Sequence, residues 1–199
     1  MRYRRSDIVE RAVGILDQWG LPDLSMRRIA SELGLQPSAL YHHFESKQVL
    51  LAAVADELLL RGARPDAPDC SWDDRIIAQS RELRDAMLAY RDGAELVATV
   101  HAFGLGAHTP LERLIDTLRA AGFEADFSQA AASTVMHYVF GSVAAEQTHQ
   151  QANSMGAIDS DPGDHTAFGG GEGFDVGLGL ILDGIRLRAP APDHASTGR

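Results

Sequence analysis

Three short apolar-periodic segments, separated by two tight breaks, fill the first 47 residues and constrain the fold more than any other feature of this 199-residue chain. Ser6 is placed to cap a first helix whose Ile8, Ala12, Ile15 and Trp19 share one face, and Gly20 with Pro22 ends it. A second helix starts after Ser25, turns Met26, Ile29, Ala30 and Leu33 inward, and stops at Gly34. Pro37 suits the first turn of a third, which carries Leu40, Tyr41 and Phe44. With a turn at "ELGLQPSA" between the second and third, this is the pattern of a helix-turn-helix module.

Helical periodicity continues along the rest of the chain, where β-branched alternation is rare, and an all-α fold is expected. Ser46 caps a long helix through Leu50, Leu51, Val54 and Leu58 that ends near Gly62. "GARPDAPDC" reads as a linker, after which Ser71 and Asp74 have capping-box spacing at the start of a helix running to about Tyr90. "YRDGAELVATV" reads as a turn and a shorter helix, and in "HTPLERLIDTLRAAGF" Thr109 is the expected cap, with Pro110 in the first turn and Gly122 at the end. From about Asp126 to Gln151 a long helix carries an apolar stripe of Val135, Met136, Val139, Phe140 and Val143. Residues 153–172 are rich in Gly and Asp and are expected to be mobile. A last helix, "FDVGLGLILDGIRLR", contains Gly177 and Gly184, poor helix formers that point to close approach by another helix. The tail 189–199 is expected to be disordered.

Composition narrows the function classes. The single cysteine, Cys70, excludes an internal disulfide framework and a cysteine zinc site. No stretch is apolar over the length of a bilayer and no signal-peptide core follows the basic N-terminus, so the expectation is a cytoplasmic protein with no membrane partner. There is no nucleophile elbow, no His-Glu-x-x-His and no glycine-rich phosphate loop beside a strand, so no enzyme, cofactor or metal is expected. The net charge of -10 opposes a polyanionic partner until its distribution is considered. Residues 1–47 hold seven Lys and Arg against six acidic residues, whereas the remainder holds eleven against twenty-two.

A helix that enters the major groove needs small or amide side chains at its N-terminus, with basic and hydroxyl groups around it for phosphates. Gln36, Pro37, Ser38 and Ala39 meet the first need; Tyr41, His43 and Lys47 meet the second. The adjacent His42 and His43 point about 100° apart on a helix, which disfavours joint metal chelation; His43 is expected at phosphate or as a cap of the helix end, and His42 at a base edge or at nothing. The stretch "LSMRRIASELGLQPSALYHHFESKQVLLAAV", with its Leu40, Tyr41, His43, Phe44 and Lys47 signature, resembles the N-terminal domain of the TetR family of one-component transcriptional regulators. The resemblance adds Arg27 and the helix N-terminus at Ser25 to the DNA-binding set, and assigns Lys47, the only lysine in the chain, to a backbone contact.

"YRDGAELV", "AAGF" and "HYVFGSVAAEQTH" resemble the family's tetracycline repressor C-terminal class. That class places metal-drug ligands at positions occupied here by Ala63, Val97 and Ala145, which implies a pocket without a magnesium-tetracycline site. Its expected lining is Gln79, Leu83, Met87, Val97, His101, Phe103, Leu114, Met136 and His137, residues whose alternative role is ordinary core. His101, His137, Glu146 and His149 form a weaker alternative as a metal cluster.

The expected organisation is a helix-turn-helix DNA-binding domain at 1–47 and a helical ligand-binding and dimerisation domain at 48–188, coupled by the helix at 46–62. The resemblance implies a homodimeric repressor released from double-stranded operator DNA by a small-molecule inducer. Helices 126–151 and 174–188 would meet their symmetry mates in a four-helix interface. The alternatives are a helical sequestering protein with a degenerate DNA module and a helical enzyme.

Overall fold

The computed structural model of the chain describes residues 3–65, 70–154, 156 and 171–189. Among these residues the chain forms nine α-helices and no strand: α1 (Arg5–Trp19), α2 (Met26–Glu32), α3 (Pro37–Tyr41), α4 (Lys47–Gly62), α5 (Trp72–Leu88), α6 (Gly93–Ala102), α7 (Thr109–Ala120), α8 (Ala125–Ser154) and α9 (Gly171–Arg186). A 3-10 turn, Leu21–Asp23, links α1 to α2. The expected mobile segment at 153–172 and tail at 189–199 lie largely outside the described residues, as does the middle of the linker after α4.

Caps account for most boundaries. The hydroxyls of Ser25, Ser46 and Ser71 accept from the backbone N–H groups of Arg28, Val49 and Asp74, each at 3.2 Å. Two starts differ from expectation. Helix α1 begins before Ser6, because the Asp7 carboxylate accepts the Arg4 N–H at 2.7 Å and fixes Arg4 as the N-cap. Helix α7 includes Thr109 as its first residue, with His108 at the N-cap and no side-chain cap bond; Pro110 supplies the preset φ instead. Trp19, expected on the inner face of α1, is 45% exposed and lies 5.0 Å from the Arg28 guanidinium.

Helices α1, α2 and α3 close around Ile8, Leu16, Leu24, Ile29, Leu40 and Phe44, all buried. The partner of this group is α4, which packs on α1 from one side and on α5 and α6 from the other. Leu50, Val54 and Leu58 face inward along its length. Near its C-terminus, Arg61 bonds Glu57 at 2.8 Å and pairs with Glu10 of α1. Glu57, then Tyr90 and Glu10, hold the Arg61 guanidinium above its ordinary pKa.

In the larger part, α5 lies among α4, α7 and α8, and α8 in turn carries α9. Arg84 of α5 binds both carboxylate oxygens of Glu146 on α8, at 2.7 and 2.9 Å. Gly177 of α9 leaves no room for a Cβ beneath the Tyr138 ring, whose hydroxyl donates to the Phe174 carbonyl at 2.8 Å. The close approach inferred from the glycines of this helix is therefore present at Gly177, whereas Gly184 has open space around it.

Candidate DNA-reading surface and ligand cavity

Gly34, with φ of 65°, breaks the chain after α2, and Pro37 opens α3 immediately beyond Gln36, which serves as the N-cap. Leu40 and Phe44 anchor α3 to the core, and everything between those anchors faces outward. Arg27, Gln36, Ser38, His42 and His43 are exposed, and Ser25, Pro37, Ala39 and Lys47 are half-buried. Tyr41, which the sequence left between core and surface, is 53% exposed. Among the described residues neither Arg27 nor Lys47 has an ion-pair partner, whereas the neighbouring Arg28 is paired with Glu32 at 3.3 Å. None of the ten residues expected to meet DNA is buried, and two of them are cations without an ion-pair partner among the described residues.

A cavity of about 600 Å³ opens between α4, α5 and the segment from Leu105 into α7. Leu59, Leu60, Leu83 and Ala86 form its apolar wall; Asp56, Gln79, Glu82, Glu112 and Arg113 supply polar groups. Arg113 is bonded to Glu82. Gln79 is buried and its amide donates to the Thr117 hydroxyl at 3.1 Å. Asp56 reaches from α4 to accept the Ala107 N–H at 2.8 Å. That bond holds a non-glycine residue at φ of 56°, in the left-handed region that costs an L-residue free energy. The Ala107 carbonyl in turn lies 3.1 Å from the His101 Nδ1.

Of the nine residues expected to line the pocket, Gln79 and Leu83 do so. Met87, Val97, Leu114 and Met136 are packed in the core, 2% exposed or less. His101 stands behind the turn, its ring 5.3 Å from that of Phe140. Phe103 projects from the surface, and His137 lies on the outer face of α8 beside Tyr138 and Gly141, in a separate depression. Ala63, at the family's metal-drug position, does line the cavity, but brings no donor; Ala145 faces the α8 depression. His101, His137, Glu146 and His149 are not gathered into a cluster of metal ligands among the described residues, and Glu146 is occupied by Arg84. Sequence reasoning missed Asp56, Glu82, Glu112 and Arg113, whose helical spacing reads equally well as a solvated face. Leu60 was the available signal, an apolar residue outside the inward stripe of α4 that is 70% exposed.

Comparisons with known proteins match both parts. Residues 8–54 match the model of bacterial regulatory proteins of the tetR family, and residues 64–167 match the tetracyclin repressor-like C-terminal domain. The chain is 30% identical to the Escherichia coli tetracycline repressor protein class A from transposon 1721, over 94% of this chain and 92% of that repressor. The crystal structure of Mycobacterium smegmatis BioQ is similar with a TM-score of 0.80 and 40% identity, covering 93% of this chain and 99% of BioQ. A structure of BioQ with its double-stranded DNA operator matches at a TM-score of 0.77 and 40% identity, covering 92% and 98% of the two chains. No helix among the described residues is long and apolar enough to cross a membrane. Proteins of this kind bind operator DNA as dimers and respond to small molecules; they are regulators of transcription and not enzymes. The chain belongs to the tetR family of bacterial regulatory proteins, as a ligand-responsive DNA-binding transcriptional regulator with a tetracycline repressor-like C-terminal domain.

Proposed function

We propose that this regulator is a cytoplasmic repressor that leaves its operator when a small molecule other than magnesium-tetracycline enters the cavity between α4, α5 and α7. The observation that carries this reading is the position of α4. Its N-terminus, Lys47, follows the recognition helix after residues 42–46, and its Asp56, Leu59 and Leu60, with Ala63 at its C-cap, form one wall of the cavity. A ligand that displaces this wall moves the DNA-facing end of the same rigid element, about 14 Å away along the helix from Asp56.

In this reading residues 1–47 read DNA, α4 couples, and the remainder through residue 188 binds ligand and dimerises. Gln36, Pro37, Ser38, Ala39 and His42 enter the major groove; Ser25, Arg27, Tyr41, His43 and Lys47 hold the flanking phosphates. Helices α8 and α9 form the dimer face. Val176 and Leu180 of α9 fall on one stripe and are 67 and 71% exposed, and Leu187 just beyond its end is 87% exposed, an apolar surface that a monomer would leave in water. Val97 and Ala63 offer no imidazole at the class's metal-drug positions, which supports a different inducer.

Fluorescence anisotropy with labelled duplex from upstream of the gene tests the proposal. Sequence-dependent binding that weakens steeply as salt rises is expected. Equal binding to a scrambled duplex, or none to either, would remove the repressor reading and leave a sequestering protein.

A further inference from the structure

We infer that the ligand of this cavity is an amphipathic organic cation, an apolar body with a protonated amine or amidine, whose counter-charge is Asp56. The inference rests on the reading of the cavity as the inducer site and adds the chemical class of the inducer. The cavity has room for a drug-sized molecule, and Leu60 and Leu105, 70 and 44% exposed, leave apolar surface at its mouth for such a molecule to cover. Its charge is unbalanced: three carboxylates, Asp56, Glu82 and Glu112, meet one guanidinium, Arg113, beside the imidazole of His108.

Arg113 is bound to Glu82 and neutralises that carboxylate, so the pair adds no net charge to the cavity. The N-terminal end of α7, which would attract an anion, carries Glu112 in its own first turn. Asp56 remains. Its Oδ1 accepts one backbone N–H, and no cationic side chain pairs with it among the described residues. Gly106 contributes to the same wall, and a Cβ there would sit 3.1 and 3.2 Å from the two Asp56 oxygens; the chain thus leaves the carboxylate uncovered on that side. Gln79 offers a second polar anchor: it lines the cavity, is buried, bonds Thr117 through its side chain, and its amide has more donor and acceptor sites than Thr117 fills.

A cation entering here gains Asp56 and Glu112, while an anion meets both as repulsion. Because Asp56 also holds Ala107 in its left-handed turn, a ligand on that carboxylate acts on α4 and on the α6–α7 turn together.

The test uses three probes with one apolar body and different heads: 4-phenylbutylamine, 4-phenylbutan-1-ol and 4-phenylbutyrate. Each is titrated into the full-length protein by calorimetry, with operator anisotropy measured on the same preparation. The amine is expected to bind at least about fivefold tighter than the alcohol, and the carboxylate weaker than the alcohol. Asp56→Asn, which still accepts the Ala107 N–H, should bring the amine down to the affinity of the alcohol; Glu112→Gln should reduce the preference in the same direction. Equal affinities, a preference for the carboxylate, or no binding by any probe at millimolar concentration overturns the inference, whether or not the variants fold. Magnesium chloride alone should give no heat; Asp56-dependent binding of magnesium alone also overturns it. Operator binding intact beside any of these results separates failure of the inference from failure of the repressor reading.

Discussion

Asp92 accepts the backbone N–H of Leu21 at 2.8 Å through Oδ2, joining residues 71 apart in the chain. Its other oxygen accepts the Gln151 side-chain amide of α8 at 2.6 Å. One carboxylate in the turn before α6 thus ties the start of the 3-10 turn between α1 and α2 to α8, the longest helix among the described residues. Gly20, at φ of 84°, is required for this approach, since a Cβ there would lie 2.5 Å from the Asp92 Oδ2.

Replacing this carboxylate leaves a part-buried N–H and an amide without their acceptor. Asp92→Ala is expected to cost about 1 to 3 kcal/mol, read as a shift of the urea midpoint. Gly20→Ala should destabilise by a comparable amount, through both the positive φ and the collision. An unchanged midpoint in both variants would show that the contact contributes nothing to stability.

The Arg84–Glu146 pair is largely buried, with side chains 16 and 10% exposed, and Arg84 also lies 5.6 Å from the Phe174 ring centroid. Glu146→Ala leaves the guanidinium only its longer contact with Asp85 at 3.5 Å, with Nε already unpartnered, and is expected to cost about 3 kcal/mol. Arg84→Met combined with Glu146→Leu should recover most of that loss in the same denaturation experiment, because desolvation of both charges is removed together.

Acid should act on Asp73. The Ser71 hydroxyl first, then the Arg186 guanidinium, hold its carboxyl below the ordinary value. A carboxyl lowered in the folded state contributes stability that is present at neutral pH and disappears as pH falls from the ordinary carboxylate range through the lowered folded value. Asp73→Asn is therefore expected to be less stable than the parent at neutral pH, with the gap in melting temperature closing in acid. A gap independent of pH would assign the effect to packing.

The proposed dimer face makes its own prediction. Leu180→Asp places a charge in the exposed apolar stripe of α9 without touching the monomer core, so helicity should persist. Sedimentation should then show monomers, and operator affinity should fall at least about a hundredfold as the two half-sites are no longer engaged together. A variant that stays dimeric would move the interface elsewhere.

Local signals were legible and spatial ones were not. Ser25, Ser46 and Ser71, and Gly20, Gly34 and Gly122, act within one helical turn of themselves, and each marks the end it was expected to mark. Ser6 and Thr109 misled because a neighbour, Asp7 or Pro110, determines where the backbone enters the helix. In the cavity, periodicity identifies the inward face of α5, hence Gln79 and Leu83, but it cannot distinguish a side chain that fills the core from one that faces a void. Val97 and Met136 fall on the first side of that division. Asp56 is recognised only when the Gly106–Ala107 turn folds onto α4, a contact across 51 residues.

The most direct test of the account is operator anisotropy over a salt series with single alanine substitutions at Lys47 and Gln36. Lys47→Ala is predicted to weaken binding to every duplex and to lower the salt slope by about one, as a phosphate contact requires. Gln36→Ala should leave the slope intact and reduce discrimination between operator and scrambled DNA, at a cost of about 1 to 3 kcal/mol. Wild-type slope and specificity in both variants would contradict the assignment of α3 and its flanks to DNA.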